Sequence, residues 1–260
     1  MTTIPIFQLD AFTDKPFGGN PAAVCPLQEW LPDDVMQSIA LENNVSDTAF
    51  YVPEGDGFLL RWFTPKIEVD LCGHATLATA WLILNKLEPD RASVAFETRS
   101  GTLTVSRDGD LLAMDFPVMV AEERPAPAGL AEAIGIEPVK FLKAVMNMAV
   151  LENEAVVRAV NPDFGYIKNM DGMGLIITAP GDQSDCASRY FAPHAGIDED
   201  PVTGSAHCTI VPYWSGVLGK AQIHARQVSA RSGDLYCLLE GDRVVLTGKA
   251  RTVIKGTFTI

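Results

Sequence analysis

The sequence predicts an α+β protein of two pseudo-symmetric domains, each a mostly antiparallel sheet rolled around a central helix. The first observation is a repeat: Arg61-Trp62-Phe63-Thr64-Pro65 returns as Arg189-Tyr190-Phe191-Ala192-Pro193, and Gly73-His74 returns as Gly204-Ser205. Each offset is close to half of the 260-residue chain, whereas solenoid repeats run to roughly 20 to 50 residues. The second observation is that each half contains many short β-rich runs and a single long apolar run. Both indicate a tandem duplication.

The domain boundary is predicted at the proline-containing loop from Pro117 to Gly129. Residues 1–117 then form an N-terminal repeat domain and residues 118–260 a C-terminal one. One option is that the last strand packs back on the N-terminal domain. A chain of 260 residues is long enough for two domains that each bury a core.

Short alternating or β-rich runs predict the strands. In the first half these are Ile4 to Phe12, Asp47 to Val52, Phe58 to Phe63, Ser93 to Thr98, Thr102 to Ser106 and Leu111 to Phe116. The last two flank Asp108-Gly109, and Asp-Gly accepts the positive φ of a tight hairpin turn. The second half repeats this pattern with Leu235 to Leu239 and Arg243 to Thr247 around Gly241.

The long apolar runs predict one central helix in each half. Ala75 to Leu84 is apolar nearly all round, which indicates a helix buried inside its domain. Its counterpart is Ala206 to Leu218, in which Pro212 is expected to bend or interrupt the helix. Asp33 to Leu41 and Leu130 to Ile134 are predicted to be peripheral helices.

Composition and charge exclude several classes of protein. A net charge of −13 without clusters of Lys and Arg argues against nucleic-acid partners. No run reaches the roughly 18 apolar residues of a membrane span, and the N-terminus does not resemble a signal peptide, so a cytoplasmic protein is expected. Five widely spaced cysteines without a CxxC pair argue against a disulfide framework or a zinc knuckle.

The starts of the two central helices are the candidate binding apparatus. Each begins with a glycine followed by a polar residue, Gly73-His74 and Gly204-Ser205. The first turn of a helix has free N–H groups and a partial positive charge. Two such turns at one cleft would bind a carboxylate or a developing enolate, and glycine would let the ligand approach the backbone.

Four motifs carry a family resemblance: Gly18-Gly19-Asn20-Pro21-Ala22-Ala23-Val24, Arg61 to Pro65, Leu71-Cys72-Gly73-His74-Ala75-Thr76-Leu77-Ala78 and Glu199-Asp200-Pro201-Val202-Thr203-Gly204-Ser205-Ala206. Over essentially its whole length the chain resembles the phenazine-biosynthesis PhzF-like family, which has the diaminopimelate-epimerase-like fold. The resemblance implies an active site between the two domains and no cofactor. It also implies an isomerase that moves a proton within a small hydroxylated cyclic amino acid, commonly as a homodimer.

The resemblance also implies roles for individual residues. The family's proton-transferring Glu falls on Asp47, one methylene shorter, and its active-site His on His74. Its Asp falls on Asp200, expected to orient more than to transfer protons, and its Ser on Ser205. Gly73 and Gly204 supply the close backbone approach. Asn20 is either a turn residue or a substrate contact.

The differences between the two repeats favour one chemistry over another. When Thr48 to Pro53 is aligned with Leu175 to Pro180, Gly174 falls opposite Asp47, so the proposed acid/base exists in only one half. Cys72 precedes Gly73, but Thr203 precedes Gly204. Threonine cannot supply a thiolate, so racemisation between two cysteines is disfavoured.

The sequence therefore predicts a cofactor-independent isomerase that shifts a proton or epimerises a small carboxylate-bearing metabolite. The alternative is a metabolite-binding protein whose chemistry is altered because Asp replaces Glu, and a weaker reading is an epimerase that uses the Cys72 thiol. No metal site is expected, because no carboxylate completes the pairs Cys72 with His74 or His207 with Cys208.

Overall fold

The computed structural model describes residues 2–260. Its strands are β1 (Thr3–Ala11), β2 (Asn20–Pro26), β3 (Asp47–Glu54), β4 (Gly57–Phe63), β5 (Glu68–Val69), β6 (Ser93–Thr98), β7 (Gly101–Asp108), β8 (Leu111–Pro117), β9 (Glu122–Glu123), β10 (Lys140–Lys143), β11 (Asn147–Val150), β12 (Leu175–Pro180), β13 (Cys186–Ala192), β14 (Ile197–Asp200), β15 (Gln222–Gln227), β16 (Gly233–Glu240), β17 (Arg243–Gly248) and β18 (Ala250–Thr259). The helices are α1 (Asp33–Asn43), α2 (Gly73–Leu82), α3 (Leu130–Ile134), α4 (Glu154–Ala159), α5 (Phe164–Lys168) and α6 (Gly204–Leu218). Short π-helical and 3₁₀ turns follow at Ile83–Leu87 and Pro193–Ala195.

The chain divides into two compact units. The first unit comprises residues 1–115 and 247–260, and the second comprises residues 116–246. This division differs from an even split after residue 117, because the C-terminal segment belongs to the first unit. There β18 pairs antiparallel with β1 along its length, from Thr3 opposite Thr259 to Ala11 opposite Ala250.

The two units repeat the same sequence of strand pairings. In the first unit, β1–β2 is antiparallel, β2–β3 parallel, β3–β4 and β4–β5 antiparallel, β4–β6 parallel and β6–β7 antiparallel. In the second unit, β10–β11, β11–β12, β12–β13, β13–β14, β13–β15 and β15–β16 follow in the same order and the same senses. Six strand pairings thus agree in order and direction between the two units, as a duplication predicts. The predicted α+β class is confirmed.

The central helices lie where the apolar runs predict them, each beginning two residues earlier at its glycine. In α2 nearly every side chain is buried, including the hydroxyls of Thr76 and Thr79, which donate to the carbonyls of Cys72 at 2.6 Å and Ala75 at 2.7 Å. Helix α2 packs against β1, β2 and β3. A helix that is apolar all round is stable only when it is covered on all sides.

The expected interruption of α6 at Pro212 is not found. The helix is continuous from Gly204 to Leu218. Proline has no N–H for the carbonyl four residues earlier, which here belongs to Cys208. That carbonyl accepts instead from the backbone N–H of Met119 at 2.9 Å, so the helix keeps its hydrogen bonding through a contact that is remote in sequence.

The repeated arginines hold corresponding strands. Arg61 on β4 makes a bidentate ion pair with Glu68 on β5, at 2.7 and 2.9 Å. Arg189 on β13 pairs in the same way with Glu199 on β14, again at 2.7 and 2.9 Å. Planar guanidinium and carboxylate groups match in this geometry. Each pair fixes the strand that leads into a central helix, so this part of the repeat is structural.

Local pattern predicts the remaining elements unevenly. The peripheral helices α1 and α3 and the first-half strands, apart from β2 and β5, are found within a few residues of the predicted bounds. Helices α4 and α5 and the short strands β9, β10, β11 and β14 were not predicted. Among residues 2–260 there is no helix with the length and apolar character that crossing a membrane requires.

Candidate active site

In the first unit, Asp47 and His74 are brought together from different elements. Asp47 is the first residue of β3, and His74 is the second residue of α2. The Nε2 atom of His74 lies 3.6 Å from Oδ2 of Asp47, and both side chains are less than a tenth exposed. This separation is slightly longer than a hydrogen bond. A carboxylate and an imidazole at this distance are a pair of groups that can exchange protons with a small ligand.

Cys72 joins this pair from the N-cap of α2. Its Sγ atom lies 3.5 Å from Nδ1 of His74, whereas Asp47 faces the other ring nitrogen, Nε2. The three residues offer one ligand atom each, and these atoms lie within 4.8 Å of one another. The expectation that no carboxylate completes the Cys72–His74 pair is therefore wrong. Asp47 is remote in sequence but adjacent in space, and sequence spacing contains no signal for this.

Neighbouring polar groups fix the start of β3. Strands β2 and β3 run parallel, with Ala22 opposite Asp47. The hydroxyl of Ser46 donates to Oδ1 of the fully buried Asn20 at 2.9 Å. Asn20 is thus hydrogen-bonded to Ser46, the residue before Asp47. This contact within the protein accounts for the burial of Asn20 without a ligand. Its predicted role as a substrate contact stays a prediction.

Burial controls the protonation of His74. Loss of solvent lowers the pKa of His74 to about 3, although a hydrogen bond with the backbone at Pro21 works in the opposite direction. Desolvation disfavours the charged imidazolium. At neutral pH the ring is therefore neutral, with one nitrogen that can donate and one that can accept.

In the second unit, a buried network surrounds Asp200 at the end of β14. The hydroxyl of Thr203 donates to Oδ2 of Asp200. The Gln227 side chain accepts from the backbone N–H of Thr203 at 2.8 Å and donates to the carbonyl of Asp200 at 2.7 Å. Gln227 is fully buried. The carboxylate of Asp200 is thus held in a defined orientation.

The first turns of the central helices are not capped by their N-cap side chains. Within residues 2–260, neither Cys72 nor Thr203 makes a side-chain hydrogen bond that caps its helix. Threonine is normally a favourable N-cap, but the hydroxyl of Thr203 is committed to Asp200. Gly73 and Gly204 are the first helical residues, where the backbone conformation does not demand glycine. The close approach of a ligand at both positions stays a prediction.

Ser205 corresponds to His74 in the second helix start. It is half-buried, directly after the buried Gly204. One turn further along α6, Nδ1 of His207 donates to the carbonyl of Thr203 at 2.7 Å, and burial lowers the pKa of His207 to about 4. His207 is therefore neutral and tied to its own helix, which argues for a structural role.

Strand register agrees with the alignment that sets Gly174 against Asp47. Thr48 lies opposite Phe63, and Leu175 lies opposite Phe191, so the residues before them correspond. Gly174 has φ +110°, and a Cβ at this position would lie 2.4 Å from the carbonyl oxygen of Phe191. No side chain fits there without moving the backbone. The second unit therefore has no room for a carboxylate at the position of Asp47.

The structure places the predicted residues in two groups. Asn20, Asp47, Gly73 and His74 gather in the first unit, and Asp200, Gly204 and Ser205 gather in the second. Whether the two groups form one site stays a prediction. Gln227 also lies in the second unit and is fully buried. Its only signal in the sequence is a polar residue at an inward position of an alternating strand.

A cavity of about 480 Å³ lies elsewhere in the second unit and includes none of the predicted site residues. Its lining includes Arg124 and Lys143, whose charges are paired with Glu122 and Asp171. These cations are already neutralised by protein carboxylates. The convergence of Asp47, Cys72 and His74 is therefore the better guide to chemistry than the size of a cavity.

The fold defines a class that includes amino-acid epimerases. The crystal structure of a hydroxyproline epimerase from Agrobacterium vitis superposes with a TM-score of 0.61 at 10% identity, covering 98% of this chain and 92% of that one. At this identity the likeness concerns the fold alone.

The family is narrower than the fold. The model of the phenazine biosynthesis-like (PhzC-PhzF) proteins matches residues 9–256. An uncharacterized isomerase of Pseudomonas aeruginosa is 50% identical over 254 residues, covering 98% of both chains. A crystal structure of a PhzF family protein from Enterococcus faecalis has a TM-score of 0.97 at 42% identity, covering both chains completely. The chain belongs to the phenazine biosynthesis-like family, and the resemblance stated from its motifs is confirmed.

Proposed function

We propose that this protein is an isomerase that moves a proton within a small carboxylate-bearing metabolite without a cofactor, using Asp47 and His74. The proposal rests on the convergence of these two buried side chains, whose Nε2 and Oδ2 atoms lie 3.6 Å apart at the start of α2. Homologous proteins of Pseudomonas aeruginosa and Halalkalibacterium halodurans are named isomerases. Their names support the reaction class and leave the substrate open.

The proton transfer uses the ionised form of Asp47 and the neutral ring of His74. In its ionised form, the carboxylate of Asp47 removes a proton from carbon, and the electrons of the C–H bond enter an enolate-like system. The neutral His74 ring donates a hydrogen bond to the oxygen on which charge develops. The protonated Asp47 then returns the proton to another carbon, or to the same carbon. A positioned acid/base of this kind contributes roughly a hundredfold to ten-thousandfold in rate.

The uncapped helix starts supply the binding side of the proposal. The N–H groups of the first turn of α2 would hold a substrate carboxylate or the developing enolate. In the second unit, Asp200, Gly204 and Ser205 are the proposed binding residues. The fixed orientation of Asp200 suits binding of an ammonium or hydroxyl group.

The asymmetry of the repeat supports a single carboxylate in place of two opposed thiols. A carboxylate at Gly174 would need a backbone change, since its Cβ would lie 2.4 Å from a carbonyl oxygen. On the thiol side, Thr203 replaces the second cysteine, and its hydroxyl donates to Asp200. Gly174 therefore disfavours a second carboxylate, and Thr203 disfavours racemisation between two thiols.

Solvent deuterium incorporation tests the proposal. The purified protein is incubated in deuterated water with a panel of small hydroxylated cyclic amino acids, and exchange at carbon is followed by NMR. We expect exchange with wild type and a decrease on the order of a hundredfold or more in Asp47→Asn, because general-base catalysis is lost. Asp34→Asn, at an exposed position of α1, is the matched control. Exchange that persists undiminished in Asp47→Asn would refute the role of Asp47.

A second candidate is a metabolite-binding protein with altered chemistry. It is favoured by the 3.6 Å separation of Nε2 and Oδ2, because a glutamate would reach about one methylene further and a misplacement of roughly 1 Å can reduce a rate about a hundredfold. On this hypothesis, members of the panel bind in calorimetry without carbon exchange, and Asp47→Glu produces exchange. Turnover by wild type would exclude it.

A further inference from the structure

The cluster of Asp47, Cys72 and His74 combines three types of metal ligand. One carboxylate oxygen, one thiol sulfur and one imidazole nitrogen lie within 4.8 Å of one another, and all three residues are buried. We propose that this cluster binds a divalent cation of the zinc type, and that the bound cation blocks the acid/base pair.

A tetrahedral centre is within reach of the three side chains. With Zn–S near 2.3 Å and Zn–N and Zn–O near 2.0 to 2.2 Å, ligand atoms in such a centre lie roughly 3.3 to 3.6 Å apart. Sγ of Cys72 lies 3.5 Å from Nδ1 of His74, and Oδ2 of Asp47 lies 3.6 Å from the other ring nitrogen, Nε2. An ion takes only one of these nitrogens, so ion binding must bring the third ligand atom, which lies within 4.8 Å, roughly 1 Å closer.

The chemistry of the donors selects the cation. A thiolate and an imidazole are poor ligands for Mg²⁺ and Ca²⁺, which prefer all-oxygen shells. The mixture of sulfur, nitrogen and oxygen suits Zn²⁺. Thiolate and carboxylate together balance the charge of a divalent ion.

Regular structure holds the backbone of all three ligands. Asp47 is the first residue of β3, which pairs in parallel with β2, and the other two ligands belong to the start of α2. The Nε2 atom of His74 is buried and lies 3.6 Å from Oδ2 of Asp47. A cation would join this nitrogen and this oxygen at one centre.

Three protein ligands leave a fourth position for water or a substrate atom. A cation bound here would occupy Asp47 and His74. With Asp47 and His74 as the proton-transferring groups, zinc would therefore inhibit proton transfer, and a chelator would restore it. Only this consequence rests on the proposed function. The binding site itself follows from the three ligands and does not depend on any activity.

Cobalt titration of the full chain tests the site in the absence of substrate. Co²⁺ is the probe, because a cobalt–thiolate bond produces a charge-transfer absorption that oxygen and nitrogen ligands do not. We expect this absorption in wild type and its loss on addition of Zn²⁺. Cys72→Ser should abolish the band and weaken Zn²⁺ binding, measured by calorimetry, on the order of a hundredfold or more, since even outer partners of metal ligands contribute 10- to 100-fold.

Cys208→Ser is the matched control, because it makes the same change at another buried thiol in the second unit. It should leave the band unchanged. Asp47→Asn, which keeps the thiol, should retain a band and lose affinity, and it serves as the second variant if Cys72→Ser does not fold by circular dichroism. The absence of a thiolate band in wild type, or equal Zn²⁺ affinity in wild type and both cluster variants, would overturn the site. Either result leaves the deuterium-exchange test of Asp47 unaffected.

Discussion

Replacing Gln227 with leucine removes the side chain that joins β15 to the segment before α6. Gln227 is fully buried. It accepts from the N–H of Thr203 at 2.8 Å, and its amide nitrogen donates to the carbonyl of Asp200 at 2.7 Å and to the hydroxyl of Thr203 at 3.2 Å. Leucine is similar in size and cannot make any of these bonds.

The magnitude follows from the groups left behind. The backbone N–H of Thr203 and the carbonyl of Asp200 would each lose a partner in a buried region, and each orphaned group costs about 1 to 3 kcal/mol. The added apolar surface of leucine returns part of this, at most about 1.5 to 3 kcal/mol. We expect Gln227→Leu to lower the free energy of unfolding by about 1 to 4 kcal/mol.

Urea denaturation followed by circular dichroism measures this change. Gln222→Leu is the matched control, because Gln222 lies at the exposed start of the same strand, and it should change stability by less than about 0.5 kcal/mol. A loss below about 1 kcal/mol in Gln227→Leu would refute the reasoning. It would mean that water or a shifted side chain satisfies the two backbone groups.

Two further changes have outcomes that the structure predicts. Gly174→Ala should destabilise the protein more than Gly55→Ala. Both residues have positive φ, but the new Cβ at position 174 would lie 2.4 Å from the carbonyl oxygen of Phe191, whereas at position 55 nothing lies within 4 Å. Equal urea midpoints for the two variants would contradict this. The pKa of His74 in the folded protein, about 3, lies below the ordinary value of 6.5. Between these two pH values the unfolded chain therefore binds more protons than the folded protein does. Stability should therefore fall as the pH decreases from 6.5, by up to about 1.4 kcal/mol per pH unit, and His74→Gln should remove this part of the dependence, whereas the exposed His194→Gln should not.

The local pattern predicted the central helices well because their signal is contained in one continuous run. Ala75 to Leu84 is apolar on every side, and only a buried helix of that length accommodates such a run. The short strands β10, β11 and β14 have four residues each, too few for an alternating pattern to be distinguished from a loop. They exist because neighbouring strands pair with them.

At Pro212 a strong local rule allowed an interruption of the helix that the structure does not contain. The rule holds that proline leaves a carbonyl without its helical partner. In this protein Met119 supplies that partner, at 2.9 Å from the carbonyl of Cys208. The two residues are too far apart in the chain for the sequence to indicate the contact.

The sequence by itself determined the duplication, the α+β class, the glycine at each central helix start and the family. These features depend on residue order and local periodicity. The tertiary structure alone decided that Asp47, Cys72 and His74 form one cluster, because β3 pairs in parallel with β2 and both strands pack against α2. It also decided that Gly174 cannot be replaced by a second carboxylate, since a nearby carbonyl of β13 occupies the space. Distances between segments remote in sequence are set by strand pairing, which a linear pattern does not contain.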